Sequence, residues 1–352
     1  MTPPIGGTSE HEEQRVREGG AGEIAATGTS ALVDLAVGSG ERFAESDEPV
    51  RSQWRQVGRR FVRHRIALGS LIILLILGST AAFVDVISPY PVDPLLTSSV
   101  RAEARQQPSI HHLFGTDKLG RDQLTRVLHA LQKSLLIGLG TALLSALIGV
   151  FIGALAGFYG GWLDALLMRF TDLMLVLPAL AVLLIIASNP DPSFFGLFDL
   201  PPATEVGGMI LVLSFLGWMP MARIVRGEIL SLREQDFVDG ARAVGASGPR
   251  IIVRHLLPNC MGVIVVFSTL TVGLAILTES TLSYLGAGIQ LPDVSLGNLI
   301  ADAQSSVGTS LSYLMLFPGL ILLLVVLCVN FVGDGLRDAL DPRAFKTATT
   351  LK

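Results

Sequence analysis

From Ser134 to Leu163 the chain carries no charged side chain. That run exceeds the ~20 apolar residues a helix needs to cross about 30 Å of hydrocarbon. Helix is dictated there, because lipid offers no hydrogen-bond partner to exposed backbone N–H and C=O groups. Comparable runs recur at about Ile66–Ile87, Leu166–Ser188, Val206–Ala222 and Leu256–Thr278, the last continued weakly by Ser280–Gln290, and a sixth lies within Ala303–Gly333. The pattern predicts an all-α polytopic membrane protein with six transmembrane helices. Only 16% of the 352 residues are charged, against about 25% in soluble domains.

Six spans put both termini on one side, and the positive charges choose it. Residues 51–65 hold six arginines and no acid, and Arg223–Arg254 holds six more. The opposite loops at 189–205 and 285–302 hold no Lys or Arg. The loop 89–130 dissents, with Arg101, Arg105, Lys118, Arg121 and Arg126 set among Asp93, Glu103, Asp117 and Asp122. The balance places both termini in the cytoplasm. Residues 1–50 carry ten acids and three arginines and little apolar content, which predicts a disordered acidic tail. No apolar core follows a basic start, so no signal peptide is expected. Residues 51–65 fit a basic amphipathic helix against anionic lipid headgroups. The expected order continues with the first span and outer loop over 66–130, a core over 131–336 and a cytoplasmic tail over 337–352.

Within the core, Gly149, Gly153 and Gly157 are spaced four apart, the arrangement that lets a neighbouring backbone approach one helix face. Charges near the apolar runs are few. Arg169 and Asp172 stand three apart, the spacing of a helix-face ion pair, and are also candidates for pore or gating contact, beside Asp164 nearby. Glu279 at the outer end of the fifth span is a candidate to face a pore or to cap a turn. Asp85 is expected at the interface. Cys260 and Cys328 read as small buried side chains, and His111-His112 lacks a nearby third ligand, so no metal site is expected.

The polar stretch Phe237–Asn259 interrupts two apolar runs. Arg223–Leu232 extends the fourth span past the membrane. Asp236 is the best N-cap candidate for a short helix over Phe237–Val244, and Gly245 stands where a left-handed glycine would end it. Ser247 and Pro249 then suit the start of a second helix over Arg250–Leu256. The segment over 233–258 therefore predicts a rigid helix–turn–helix knob, with Asp239-Gly240-Ala241 forming a small-residue docking face.

Asp239-Gly240-Ala241, Gly245 and Leu257-Pro258 resemble, in spacing, the EAA motif of ABC importer permeases, with Asp239 for Glu, Gly240 for Ala and His255 for Ile. Phe114–Asp122 is similar to the "LGTDxLGRD" signature of the C-type subunit of dipeptide, oligopeptide and nickel importers. Tyr159–Asp164, Met168–Asp172 through Pro178, and Thr278–Gly288 resemble further stretches of that subunit. The likeness runs over about Phe61–Asp341. It implies a type I ABC importer permease fold, half of a peptide translocation pore in the inner membrane. It also implies a homologous second permease subunit, two cytoplasmic ABC ATPases and an extracytoplasmic substrate-binding protein. The 233–258 segment would then be the coupling helix that docks into an ATPase, through Asp239, Gly240, Ala241, Gly245, Leu257 and Pro258. ATP and Mg2+ would bind those partner subunits, with no cofactor, catalytic residue or nucleic acid on this chain. In keeping with this, no G-x-x-x-x-G-K-[ST] loop occurs, so a P-loop cradle for phosphate is excluded. The rival readings are an ion-gradient transporter, an importer of nickel or another small solute, and a membrane anchor without a pore. The first would need ionisable residues near mid-membrane, which spans two, four, five and six lack at their centres.

Overall fold

The computed structural model describes residues 53–88, 90–91, 104–188, 202, 204–290 and 293–340. The expectations for residues 1–50, for most of the 189–205 linker and for the tail beyond Leu340 lie outside the described residues. Among those described, regular structure is helical, with one isolated antiparallel bridge between Thr116 and Asp122.

Helix α1 (Gln53–Arg63) is basic, with Arg60 and Arg63 in its last turn. Helix α2 (Arg65–Ala82) starts at His64, whose Nδ1 accepts from the Ala67 N–H at 3.1 Å. One further turn, Val84–Ile87, follows. Helix α3 (Gln123–Tyr159) is 37 residues long and starts well before Ser134. The Asp122 carboxylate supplies the early start by accepting from the Thr125 N–H at 2.8 Å, which satisfies an orphan donor of the first turn.

The third apolar run is not one helix. Helix α4 (Gly161–Val176) and α5 (Ala179–Ser188) meet at 77°. Pro178 causes the break, since it lacks an N–H and pushes Leu177 into an extended conformation (φ −63°, ψ 130°). Helix α6 (Val206–Gly217) and α7 (Met219–Leu232) likewise meet at 47°, with Pro220 in the first turn of α7.

Helix α8 (Asp236–Ala243) is capped at Gln235 rather than at Asp236, which is already helical. Asp236 still favours the positive end of the helix dipole. Helix α9 (Gly248–Ile251) passes through a π-helical turn (Ile252–Leu256) into α10 (Leu257–Tyr284). The π turn has a cause: Pro258 cannot donate a backbone bond, and Leu257 N–H bonds back five residues to the Ile252 carbonyl. Helix α10 stops at Tyr284, short of Gln290, because Gly286 turns left-handed (φ +83°). Helix α11 (Leu296–Asp302) is short, and α12 (Tyr313–Leu340) is the last span, displaced toward the C-terminus from the expected window. Among the described residues, four helices (α2, α3, the α9–α10 rod and α12) are long and apolar enough to cross a membrane, and the two bent pairs raise the number to six if each is one span.

Helix α3 is central, and its packing is backbone-close. A Cβ on Gly149 would lie 2.7 Å from the Trp218 carbonyl, one on Gly153 would collide with the Ala222 carbonyl, and one on Gly157 would lie 2.9 Å from that of Arg226. The three glycines thus face successive turns of α7. Two ion pairs then tie α4 to α7. Arg226 donates to both Asp164 oxygens, from Nε to Oδ1 and from Nη2 to Oδ2 at 2.6 Å, and Arg223 pairs with Asp172. Asp172 therefore pairs across helices, not with Arg169, which lies exposed on α4.

Gly153→Leu is expected to lower stability by about 1–3 kcal/mol through overpacking, read as a fall in the melting temperature of the detergent-solubilised protein. Gly227→Leu on exposed α7 surface, where a Cβ would meet nothing within 4 Å, is expected not to lower it and to raise it slightly through helix propensity.

Candidate functional site

The polar knob is α8, the Val244–Ser247 turn and α9. Its sequence makes it rigid. Val238 is fully buried against Ile229, Ile251, Ile252 and Leu256. Gly245 adopts φ +83°, with N–H bonds from Gly245 to the Arg242 carbonyl and from Ala246 to the Ala241 carbonyl at 2.9 and 3.0 Å. That pattern closes a helix C-terminus around a glycine. Ser247 then takes the N-cap conformation of α9 without a side-chain cap bond.

The knob is fastened to the end of α3. Arg233 Nη1 donates to the Gly157 carbonyl at 3.1 Å. The Arg242 guanidinium sits 6.0 Å over the Phe158 ring, and Gly248 packs on the same ring closely enough that a Cβ would lie 3.0 Å away. Asp239 is exposed and pairs with Arg242 at 3.1 Å. Phe158, Arg233, Glu234, Asp239 and Arg242 border a polar recess of about 320 Å³. Gly240 and Gly245 are open, Ala241 is half-buried, and Phe237 and Val244 project outward, Val244 at 90% exposure. The knob therefore presents an apolar tip on a charged, braced base. Leu257 and Pro258 do not reach that face; they form the joint where the knob enters α10. Asn259 Nδ2 stitches the joint by donating to the His255 carbonyl at 2.7 Å.

At the opposite end of α3, residues 104–122 fold into a plug. Asp117 accepts from the Leu119 and Arg121 N–H groups, both at 2.8 Å, from Arg121 Nε at 2.7 Å and from Arg126 Nη1 at 3.1 Å. Asp122 pairs with His112 Nδ1 at 2.9 Å. Tyr313 of α12 donates to the Gln106 and Thr116 carbonyls at 2.7 and 2.8 Å. Gly115 (φ +75°) admits the Tyr313 ring, which a Cβ there would strike at 2.6 Å. His112 is thus a buried partner of a capping carboxylate. Sequence reading missed this network, although the aspartates and glycines of its motif were in view, because Tyr313 lies some 200 positions away in the chain.

Glu279 differs from expectation. It is fully buried inside the chain and faces no open space, and it accepts from Ser283 Oγ at 2.6 Å, Ser134 Oγ at 3.3 Å and Ser280 Oγ at 3.4 Å. Hydroxyls from two helices replace the water that a carboxylate would otherwise require. Asp85, exposed, stands 3.6 Å from His129. Among the described residues no group of three or more His, Cys, Asp or Glu is placed to hold a metal ion. Between α3 and α9–α10 runs an apolar groove of about 810 Å³, walled by Leu143, Leu147, Phe151, Val253, Met261 and Val265.

Apolar spans packed on one glycine-faced helix, with a braced polar knob at one end, make a helical membrane permease subunit of the type I ABC importer fold. A chain of the inward-facing methionine ABC transporter MetNI shares that fold, with a TM-score of 0.50 and 18% identity, over 62% of this chain and 97% of that one. Residues 149–346 match the family described as binding-protein-dependent transport system inner membrane component, and residues 52–108 match the N-terminal TM domain of oligopeptide transport permease C. The oligopeptide transport system permease protein OppC of Mycobacterium tuberculosis is 42% identical over 81% of this chain and 93% of its own length. The dipeptide transport system permease protein DppC of Bacillus subtilis is 37% identical over 86% and 91%. The chain belongs to the binding-protein-dependent transport system inner membrane component family, in its OppC/DppC-like branch.

Gly245→Ala is expected to destabilise the knob by about 1–2 kcal/mol, the cost of a side chain in the left-handed region. Gly240→Ala, in open helical surface, is expected to stabilise it by up to about 1 kcal/mol. Hydrogen exchange of the 236–247 amides, faster in the first variant and slower in the second, checks both.

Proposed function

We propose that this chain is half of the translocation pore of an ATP-driven importer that carries peptides delivered by an external binding protein. The observation that carries the reading is the knob. It is a short, internally locked helix, braced on α3 through Arg233 and Arg242 and continuous with α10 through the π turn. A partner that displaces such a knob moves two membrane helices rather than a loose loop. The docking partner is a cytoplasmic ATPase, one of two. Phe237 and Val244 enter its cleft, Gly240 and Ala241 allow close approach, and Gly245 holds the turn. Asp239, shorter than Glu, acts with Arg242 as a pair. ATP and Mg2+ bind in the ATPases, and this chain binds neither.

In this reading the knob end is cytoplasmic, both termini with it, and the plug end faces outward toward the binding protein. The six spans are α2, α3, the α4–α5 pair, the α6–α7 pair, the α9–α10 rod and α12. A homologous second permease subunit packs on the apolar groove between α3 and α10. Closure of the ATPases switches the pair between inward- and outward-facing forms by rigid-body motion. Peptide cargo is supported by the relatives, which are oligopeptide and dipeptide permeases.

Liposomes holding the whole complex are expected to accumulate peptide only with ATP and binding protein present. Uptake that persists without ATP overturns the reading in favour of an ion-gradient carrier. Deleting Phe237–Val244, or Gly245→Glu, is expected to leave membrane insertion intact and to abolish co-purification of the ATPases; normal co-purification would remove the knob from the docking role.

A further inference from the structure

Glu279 lies at the opposite end of the α9–α10 rod from the knob, and nothing in the proposed pore or docking role uses it. Its surroundings form a chain of hydroxyls that leads to one element, α11. Ser295 is the N-cap of α11, its Oγ accepting from the Asn298 N–H at 3.3 Å. The same Ser295 Oγ donates to Ser283 Oγ at 3.1 Å, and Ser283 donates to Glu279 at 2.6 Å. On the other side Ser134 of α3 donates to Glu279 at 3.3 Å while its own Oγ accepts from the Leu296 N–H, the first of α11, at 3.4 Å. One carboxylate therefore joins α3, α10 and the start of α11.

The backbone is shaped to bring α11 there. A Cβ on Gly297 would lie 2.5 Å from the Ser280 carbonyl and 2.8 Å from Ser283 Cβ, and a Cβ on Gly288 would collide with Ser283. Lys133 of α3 holds Asp293 at 2.8 Å, just ahead of α11, and Arg126 stands 3.7 Å from Asp302 at its end. Residues 293–302 are thus clasped to the same two helices, α3 and α10, that receive the knob at their other ends.

We infer that Glu279 is a positioning residue for transport: it fastens the α11 segment to α3 and α10, so that a displacement at the knob moves the opposite mouth as well. The inference rests on the importer reading and deepens it. A buried carboxylate held by hydroxyls fixes direction as well as distance, which an apolar contact of the same size does not.

The test uses the full complex in liposomes, with peptide uptake and ATP hydrolysis measured together. Glu279→Ala is expected to assemble and hydrolyse ATP while uptake per ATP falls at least about fivefold. Glu279→Gln, which keeps an acceptor for Ser283, is expected to recover at least half of the loss. Ser295→Ala, which removes one of the two hydroxyl links to α11 and leaves Glu279 and the Ser134 link in place, is expected to lower the ratio about twofold or more. It decides the matter if Glu279→Ala fails to assemble. An assembled Glu279→Ala or Ser295→Ala complex with the wild-type ratio overturns the inference, as does a loss that Gln does not recover at all. Absence of ATP-driven uptake in the wild-type complex instead overturns the importer reading.

Discussion

The approach of the α3 backbone to the α7 backbone is the contact on which the remaining arrangement depends. Lipid gives two helices no hydrophobic reason to associate, so they are held by close van der Waals packing and by the polar links that closeness permits. Gly149, Gly153 and Gly157 leave room for the Trp218, Ala222 and Arg226 carbonyls. With α7 seated at that depth, Arg226 reaches Asp164 and Arg223 reaches Asp172, which hangs α4 on the assembly. Two turns further, Arg233 reaches the Gly157 carbonyl and sets the root of the knob. A side chain larger than hydrogen on the glycine face would push every one of these groups out of range together.

Helix α3 and the α9–α10 rod then act as two struts with distinct polar work at each end. At one end they carry Phe158, Gly157 and the π turn, which brace the knob. At the other they carry Ser134, Lys133 and Glu279, which hold the segment around α11. Between these ends the struts carry no charged side chain, only hydroxyls such as Thr141, Ser145 and Ser268.

Much of the frame was legible because membrane physics writes it in composition. The chargeless run around α3, the spacing of its glycines, the left-handed Gly245 and the joint at Pro258 each follow from a local rule. What was not legible depends on partners distant in sequence. The Arg169–Asp172 spacing suited a helix-face pair, yet Arg223 on another helix reaches Asp172. Asp236 had the chemistry of a cap, but Gln235 has the extended backbone that the position demands. Glu279 was open between facing a pore and capping a turn; its hydroxyl partners Ser134 and Ser283, one of them on another helix, were not legible in the sequence. Pro178 was visible, but the 77° bend it produces required knowing that the helix resumes at once on the far side.

The plug has a bearing on biogenesis. Its loop carbonyls at Gln106 and Thr116 receive their donor from Tyr313, and Gln107 and Gln123 send theirs to the carbonyls of Ser310 and Leu314. A chain emerging in order from the ribosome makes the loop early and its partners last. Until α12 arrives, the mouth above α2 and α3 keeps unsatisfied polar groups beside the membrane. Completion of the last span therefore closes hydrogen bonds that the first loop leaves to water.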